Sequence, residues 1–243
     1  MRYREPANAV GTVAELFAGV GGFRIGLGRA GLKTVFSNQW EPATKIQHAS
    51  SVYIANFGED GHTSIDIAKV EKIPTSFDLL VGGFPCQPFS KSGKQMGMEE
   101  TRGTLFWNIA KIIEVRKPKL VILENVRNIA GPRHEHEWEV IIKTLRDLGY
   151  RVSEDPMVVS PHLIKPEFGG RPQVRNRVFI AATLIPKGMP NFKGNVEIPN
   201  LEPVMQGWDP LSWNLEKDLP LDKIKSAKEK MNVSLSESEI RWI

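Results

Sequence analysis

Short apolar runs alternate with stretches of helical period through most of the chain, and this alternation constrains the fold more than any other feature. Thr12–Phe17 (TVAELF) has strand character and runs straight into Ala18-Gly19-Val20-Gly21-Gly22. Phe23–Ala30 then has helical spacing, with Gly31 as its stop signal. Lys33–Asn38 is β-branched and aromatic and predicts a second strand. Glu41–Asn56 is helical in pattern, with Pro42 near its first turn, where proline is tolerated. A short strand leads to Asp66, and Phe77–Val81 (FDLLV) is a further buried strand. After a polar loop from Phe84 to about Gly103, helical spacing returns over Thr104–Val115. Leu120–Leu123 (LVIL) is a continuous apolar strand, and Glu137–Leu148 an amphipathic helix ending at Gly149. Arg151–Val159 and Arg177–Ala182 form a last pair of strands. Such an order predicts an α/β fold, a doubly wound, mostly parallel sheet with helices on both faces. Continuous apolar strands fit a sheet covered on both sides.

The pattern weakens after Leu184. Ile185–Pro210 holds five of the 17 prolines and little periodicity, so the expected division is a catalytic-type domain over 1–184 and a different region over 185–243. The last residues, Ile240-Arg241-Trp242-Ile243, fall where a helical pattern begins, which reads as an interrupted region. A net charge of +4 permits an anionic partner without demanding one. A single cysteine excludes an internal disulfide and fits a reducing, cytoplasmic setting. No apolar run approaches the roughly 20 residues of a membrane span, and Met1–Val10 lacks the apolar centre of a signal peptide. A soluble, cytoplasmic protein without a membrane partner is expected.

In open α/β sheets ligands bind beyond the carboxyl ends of the strands, and the chemically interesting residues all fall there. Gly19, Gly21 and Gly22 follow the first strand and open a helix, a place suited to close backbone approach and to an anion. Their spacing is not the GxGxxG of dinucleotide binders, which disfavours a nicotinamide-dependent dehydrogenase. Gln39-Trp40-Glu41 ends the second strand, where nucleoside binders hold ribose hydroxyls. Trp40 either stacks on an adenine ring or is a core tryptophan. Asp66-Ile67 either meets an adenine edge or caps a turn. Cys86 follows the fourth strand at the head of a glycine-containing loop, a place for a reactive thiol as well as for a small buried apolar residue. Glu124 directly follows LVIL and must leave the core or find a partner; there it can donate a proton or a strong hydrogen bond.

Taken in order, these segments resemble the DNA cytosine-5 methyltransferase family. Glu15-Leu16-Phe17-Ala18-Gly19-Val20-Gly21-Gly22-Phe23 is similar to its first motif, and Gly83-Phe84-Pro85-Cys86-Gln87-Pro88-Phe89-Ser90 to its nucleophile motif. Glu124-Asn125-Val126 resembles its glutamate motif, and Arg171-Pro172-Gln173-Val174-Arg175-Asn176-Arg177 its paired-arginine motif. Arg102-Gly103-Thr104-Leu105-Phe106 matches the helix start after its mobile loop. Five matches in order, from Thr12 to about Ala182, are very specific.

The resemblance implies a Rossmann-like class I methyltransferase that uses S-adenosylmethionine, leaves S-adenosylhomocysteine and needs no metal. It implies that Cys86 attacks cytosine carbon 6 while Glu124 serves ring nitrogen 3, with Arg177 and Arg175 facing the base. Phe17, Ala18, Gly19, Gly21, Gly22, Gln39, Trp40, Asp66, Ile67, Pro85 and Leu105 would hold the cofactor. Double-stranded DNA would be the partner, its base flipped out, with Gln87, Ser90, Lys91, Ser92 and Lys94 on the DNA side. The chain departs from the family pattern at Gln39, where glutamate is usual, at Glu41, where aspartate is frequent, and at Asn176, where glutamate is usual. The family's C-terminal motifs, including a Gly-Asn-Ser segment, are not found, and the resemblance implies that residues 185–243 are a linker and the start of a truncated target-recognition region. Two further readings follow: a cofactor-binding subunit or fragment of a split enzyme, inactive without its remaining part or a second subunit, and a cytosine-5 methyltransferase acting on transfer RNA.

Overall fold

The computed structural model describes residues 3–85, 104–153, 155–171 and 173–187. In chain order the elements are β1 (Gly11–Leu16), α1 (Gly22–Arg29), β2 (Leu32–Asn38), α2 (His48–Phe57), β3 (His62–Thr63) and β4 (Leu79–Gly83). They continue with α3 (Leu105–Arg116), β5 (Leu120–Val126), α4 (Glu135–Asp147), β6 (Tyr150–Val152), β7 (Met157–Val159) and β8 (Arg177–Leu184). One sheet runs β3-β2-β1-β4-β5-β8-β6, with β7 also paired to β8. The pairs among β1 to β5 are parallel, and β8 joins β5, β6 and β7 antiparallel. This is the expected mostly parallel α/β sheet.

Alternation along the strands sorts the core into two layers. Ala14, Leu16, Leu80, Val121 and Leu123 point to the face covered by α3 and α4, which bury Phe106, Ile109, Ile113, Val140, Ile141 and Leu145. Val13, Leu79 and Val81 point to the other face, where Phe23 and Leu27 of α1 pack on them. Phe23 and Leu27 are four residues apart and so share a side of the helix. Among the described residues no helix is long and apolar enough to cross a membrane.

Two expectations are corrected. The helix predicted from Glu41 starts at His48. The Gln47 side chain closes a turn instead, with Oε1 accepting from the Glu41 amide at 2.6 Å and Nε2 donating to the carbonyls of Glu41 at 2.9 Å and Thr44 at 3.0 Å. Glu41 then accepts the Ala49 amide at 2.9 Å, a carboxylate on the positive end of α2. The single strand predicted over Arg151–Val159 is two strands, β6 and β7, on opposite halves of β8. Pro156 lies in the break and has no N–H to give a ladder.

At the amino edge of the sheet Asp78 ties three strands together. It accepts from the amide and hydroxyl of Thr12 and from Lys119, and these bonds, Lys119 first, hold its carboxyl down at about 2. Pro161–Val174 belongs to a second compact unit. Its described part contains two 3-10 turns, at Pro161–Leu163 and Pro166–Phe168, and bonds within itself from the Arg171 amide to the Pro161 carbonyl and from Gly170 to Lys165.

One core residue of β1 is ionisable. Glu15 is fully buried, and burial pushes its carboxyl from the ordinary 4.5 up to about 7, against the opposing pull of the Tyr53 hydroxyl and of Arg24. Between those two values the folded chain keeps a proton that the unfolded chain has released, so stability falls as pH rises through that window. Glu15→Gln removes this contribution. Its melting temperature is expected to exceed that of the unmodified chain at about pH 8, with the gap closing by about pH 4.5; thermal melts across that range check it, and a gap that does not change with pH would contradict it.

Candidate active site

The parallel strands β1, β2 and β4 end side by side, and their hydrogen bonding continues beyond them. The Ala18 amide donates to Asn38 and the Gln39 amide to Thr63, at 2.9 and 3.0 Å. Asn38, buried, sends its side-chain amide to the Ile65 carbonyl at 2.8 Å. Over these ends lies a cleft of about 520 Å³ lined by Phe17, Asn38, Gln39, Trp40, Pro42, Asp66, Ile67, Gly83, Pro85 and Leu105. That is the size of a small-molecule site. Seven of the residues expected to hold a cofactor are therefore brought together: Phe17, Gln39, Trp40, Asp66, Ile67, Pro85 and Leu105. Ala18, Gly19, Gly21 and Gly22 are not among the lining residues.

The glycines shape the cleft from behind. Gly19 and Gly21 take φ of 56° and 92°, which glycine adopts without a Cβ penalty. A Cβ on Gly21 would collide with the Phe57 ring. The Gly19 amide donates to Gln39 Oε1 at 2.8 Å. That bond fixes the orientation of the Gln39 amide and leaves Nε2, a pair of donors, for anything bound beside it. Phe17, at φ 55°, holds a left-handed conformation costly for a bulky residue. Trp40 is 37% exposed, so its indole is a rim group of the cleft and not part of the core. Asp66 accepts the Ala68 amide at 3.0 Å, which caps a turn, and it also lines the cleft. It lies three residues past the end of β3, not at the strand end.

On the far wall, β4 and β5 pair Gly83 with Glu124. A Cβ on Gly83 would come 3.0 Å from Glu124 Oε2, so the carboxyl lies over a residue of the cleft lining. Its other oxygen forms an ion pair with Arg177 Nε at 2.7 Å, each side chain about a quarter exposed. Arg177 lies opposite Val126 on β8 and Glu124 opposite Phe179, so the pair is a diagonal contact on one face of the sheet. Arg175 is exposed, and its amide donates to Ser160 Oγ at 2.8 Å. Beside Glu124 opens a second, apolar hollow of about 400 Å³, lined with Gly22, Phe23, Gly26, Leu27 and Phe179. The buried Asn125 side chain donates to the Phe84 carbonyl at 2.8 Å, tying the end of β4 to the end of β5 one residue before Pro85. Cys86, Gln87, Ser90, Lys91, Ser92 and Lys94 lie outside the described residues.

Asn38, Pro42 and Gly83 belong to the lining but were not among the residues expected to hold the cofactor. Their signal was position, at or just past strand ends. The buried group formed by Glu15, Arg24, Tyr53 and Glu5 had no sequence signal, because a polar residue inside an apolar strand does not announce its partner.

The chain is similar in sequence and in fold to known proteins. The chain is 52% identical over 190 residues to the Type II methyltransferase M.AluI of Cellulosimicrobium cellulans, covering 75% of this chain and 35% of that protein. It is 38% identical over 204 residues to M.NgoBI of Neisseria gonorrhoeae, covering 84% and 57%, and 38% identical over 188 residues to M.HhaI of Haemophilus parahaemolyticus, covering 77% and 51%. The chain thus spans between 35% and 57% of the length of these relatives. Among solved structures, a mutant of Spodoptera frugiperda DNMT2 superposes with a TM-score of 0.54 at 20% identity, covering 77% of this chain and 53% of that one. The S. pombe Dnmt2 methyltransferase gives 0.50 at 24%, covering 76% and 51%. These two share the fold. The family model for C-5 cytosine-specific DNA methylases matches residues 11–240, and the chain belongs to that family.

Proposed function

We propose that this chain carries the methyl-donor and reaction centre of an enzyme that methylates carbon 5 of a cytosine flipped out of duplex DNA. The observation that supports it most is the convergence of one cleft and one paired carboxyl at the same edge of the sheet. The lining suits S-adenosylmethionine: an indole face at Trp40 for a purine ring, the Gln39 amide for ribose hydroxyls, and Asp66 at the far end for an adenine amine. When bound, S-adenosylmethionine supplies an electrophilic methyl group that carbon 5 of the activated cytosine accepts.

The chain's own residues do the activating. Cys86 directly follows the cleft residue Pro85 in sequence. As thiolate it forms a bond to carbon 6, and the displaced electron pair moves toward ring nitrogen 3, where Glu124 provides a proton. The Arg177 guanidinium holds one oxygen of Glu124, leaving the oxygen over Gly83 for the ring. Once carbon 5 carries the methyl group, water takes its proton, the carbon 5–carbon 6 double bond re-forms, the carbon 6–sulfur bond breaks to expel Cys86 as thiolate, and the nitrogen 3 proton returns to Glu124. Extruding the base costs a few kcal/mol, and the polar residues Gln87, Ser90, Lys91, Ser92 and Lys94 are suited to phosphate contacts that offset it.

A second reading is that the chain binds the cofactor but needs a further polypeptide for transfer. On that reading the isolated chain has little activity, and adding the C-terminal portion of such an enzyme restores it. Duplex DNA and transfer RNA offered side by side as acceptors test the substrate class, with methyl incorporation into duplex DNA expected.

Two substitutions separate the roles. Gln39→Glu keeps the acceptor for the Gly19 amide and offers a charged oxygen to the ribose, a hydrogen bond about twice as strong as a neutral one. Calorimetric titration with S-adenosylhomocysteine is expected to show roughly fivefold tighter binding, and equal affinities would remove the assigned contact. Glu124→Gln, assayed in the complemented enzyme, is expected to lower methyl transfer by about 100-fold or more while donor affinity stays within about twofold. A loss confined to donor binding would contradict the role given to that carboxyl.

A further inference from the structure

β1, α1, α2 and the N-terminal segment are joined by a largely buried polar chain. Glu15 Oε2 accepts from the Tyr53 hydroxyl at 2.9 Å, and that hydroxyl accepts from Arg24 at 3.1 Å. Arg24, only 6% exposed, donates from Nε to Glu5 at 2.6 Å. Its guanidinium also lies 4.8 Å from the Phe57 ring, the ring that backs Gly21. Tyr53 stacks on His62 at 4.5 Å, and His62 is itself held between the hydroxyls of Ser37 and Ser50, both at 2.8 Å. Glu15 lies on β1 two residues before the lining residue Phe17, and Ser37 on β2 next to the lining residue Asn38.

The position of the two ends matters. Glu15 precedes and Arg24 follows the turn over residues 17–21, and that turn carries three left-handed residues, Phe17, Gly19 and Gly21. Such a backbone persists only when its surroundings fix it. Phe17 lines the cleft, and the Gly19 amide holds Gln39 in place, so any slackening of the turn displaces two groups of the binding surface. Tyr53 bridges the two ends through a single oxygen.

The arrangement is also costly. Glu15 is fully buried and Glu5 Oε2 has no hydrogen-bond partner, a cost that a merely structural core would avoid with apolar side chains of similar volume. From this geometry, and resting on the reading of the cleft as a methyl-donor site, we propose that Tyr53, Glu15 and Arg24 are positioning residues that clamp the two ends of the β1–α1 turn and so preform the donor-binding surface.

The clamp is tightest with Glu15 ionised, since a hydroxyl bonded to a carboxylate is the stronger bond. Burial brings the Glu15 carboxyl to about 7, so its charge changes near neutrality. The groups facing it are Arg24, Tyr53 and Glu5, with Tyr3 and His62 packed against them. Burial, then Arg24, holds His62 below its ordinary value. Donor affinity is therefore expected to fall as pH drops from about 8 to about 6.

The test is titration of the full chain and of two variants with S-adenosylhomocysteine across that pH range, below the melting temperature of each. Tyr53→Phe keeps the ring on His62 but removes the bridging oxygen, and is expected to weaken binding by about 2- to 30-fold. Glu15→Gln keeps an acceptor for Tyr53 but cannot ionise, and is expected to flatten the pH profile. Any titration of the ligand itself is common to all three proteins and cancels in the ratio. Unchanged affinity in folded Tyr53→Phe overturns the clamp, and so does a pH slope in Glu15→Gln equal to that of the unmodified chain. If the unmodified chain shows no saturable binding, the cleft reading falls and this proposal with it, a result distinct from binding that the variants leave unaltered.

Discussion

Parallel hydrogen bonding of β1 to β2 and to β4 is the constraint on which everything else rests. Parallel strands end on the same edge, so residues far apart in sequence are delivered together: Phe17 after β1, Asn38 to Trp40 at and after the end of β2, and Gly83 and Pro85 at and after the end of β4. Pairing of β4 with β5 adds Glu124, placed beside Gly83 by register. A one-residue slip would turn each of these side chains to the opposite face of the sheet. Register here is strongly specified because both faces are buried, by α3 and α4 on one side and by α1 on the other. Burial of Leu16, Leu80 and Leu123 on one face and of Val13 and Val81 on the other therefore also fixes the position of the chemistry.

The site is built from groups that satisfy each other before any ligand arrives. Gln39 is oriented by the Gly19 amide, Glu124 by Arg177, and the end of β4 by Asn125. Preorganisation of this kind lowers the ordering cost of binding. It also explains why the glycines of the first motif are needed although they do not line the cleft: Gly21 leaves room for Phe57, and Gly19 presents its amide to Gln39.

Much of this was legible in the sequence because apolar runs and their spacing decide which segments become buried strands. TVAELF, FDLLV and LVIL all became sheet strands, and seven of the expected cofactor residues line one cleft. What was not legible depended on side chains bonding across the chain. Helical spacing over Glu41–Gln47 was overridden by the Gln47 amide, which captured the backbone groups that a helix would have used. The strand expected over Arg151–Val159 was cut at Pro156. Glu15, enclosed in an apolar strand, showed nothing in sequence of its partners Tyr53 and Arg24, 38 and 9 positions away. The roles of Cys86 and of the polar residues after it rest on motif resemblance alone, since they lie outside the described residues.

The central claim is that the cleft over β1, β2 and β4 receives the methyl donor, and amide chemical shifts followed during titration with S-adenosylhomocysteine test it most directly. Saturable shifts are expected at Gly19, Gln39, Trp40 and Asp66, with small changes around the apolar hollow at Phe23 and Leu27. Shifts concentrated at that hollow, with the cleft residues unmoved at saturation, would contradict the account.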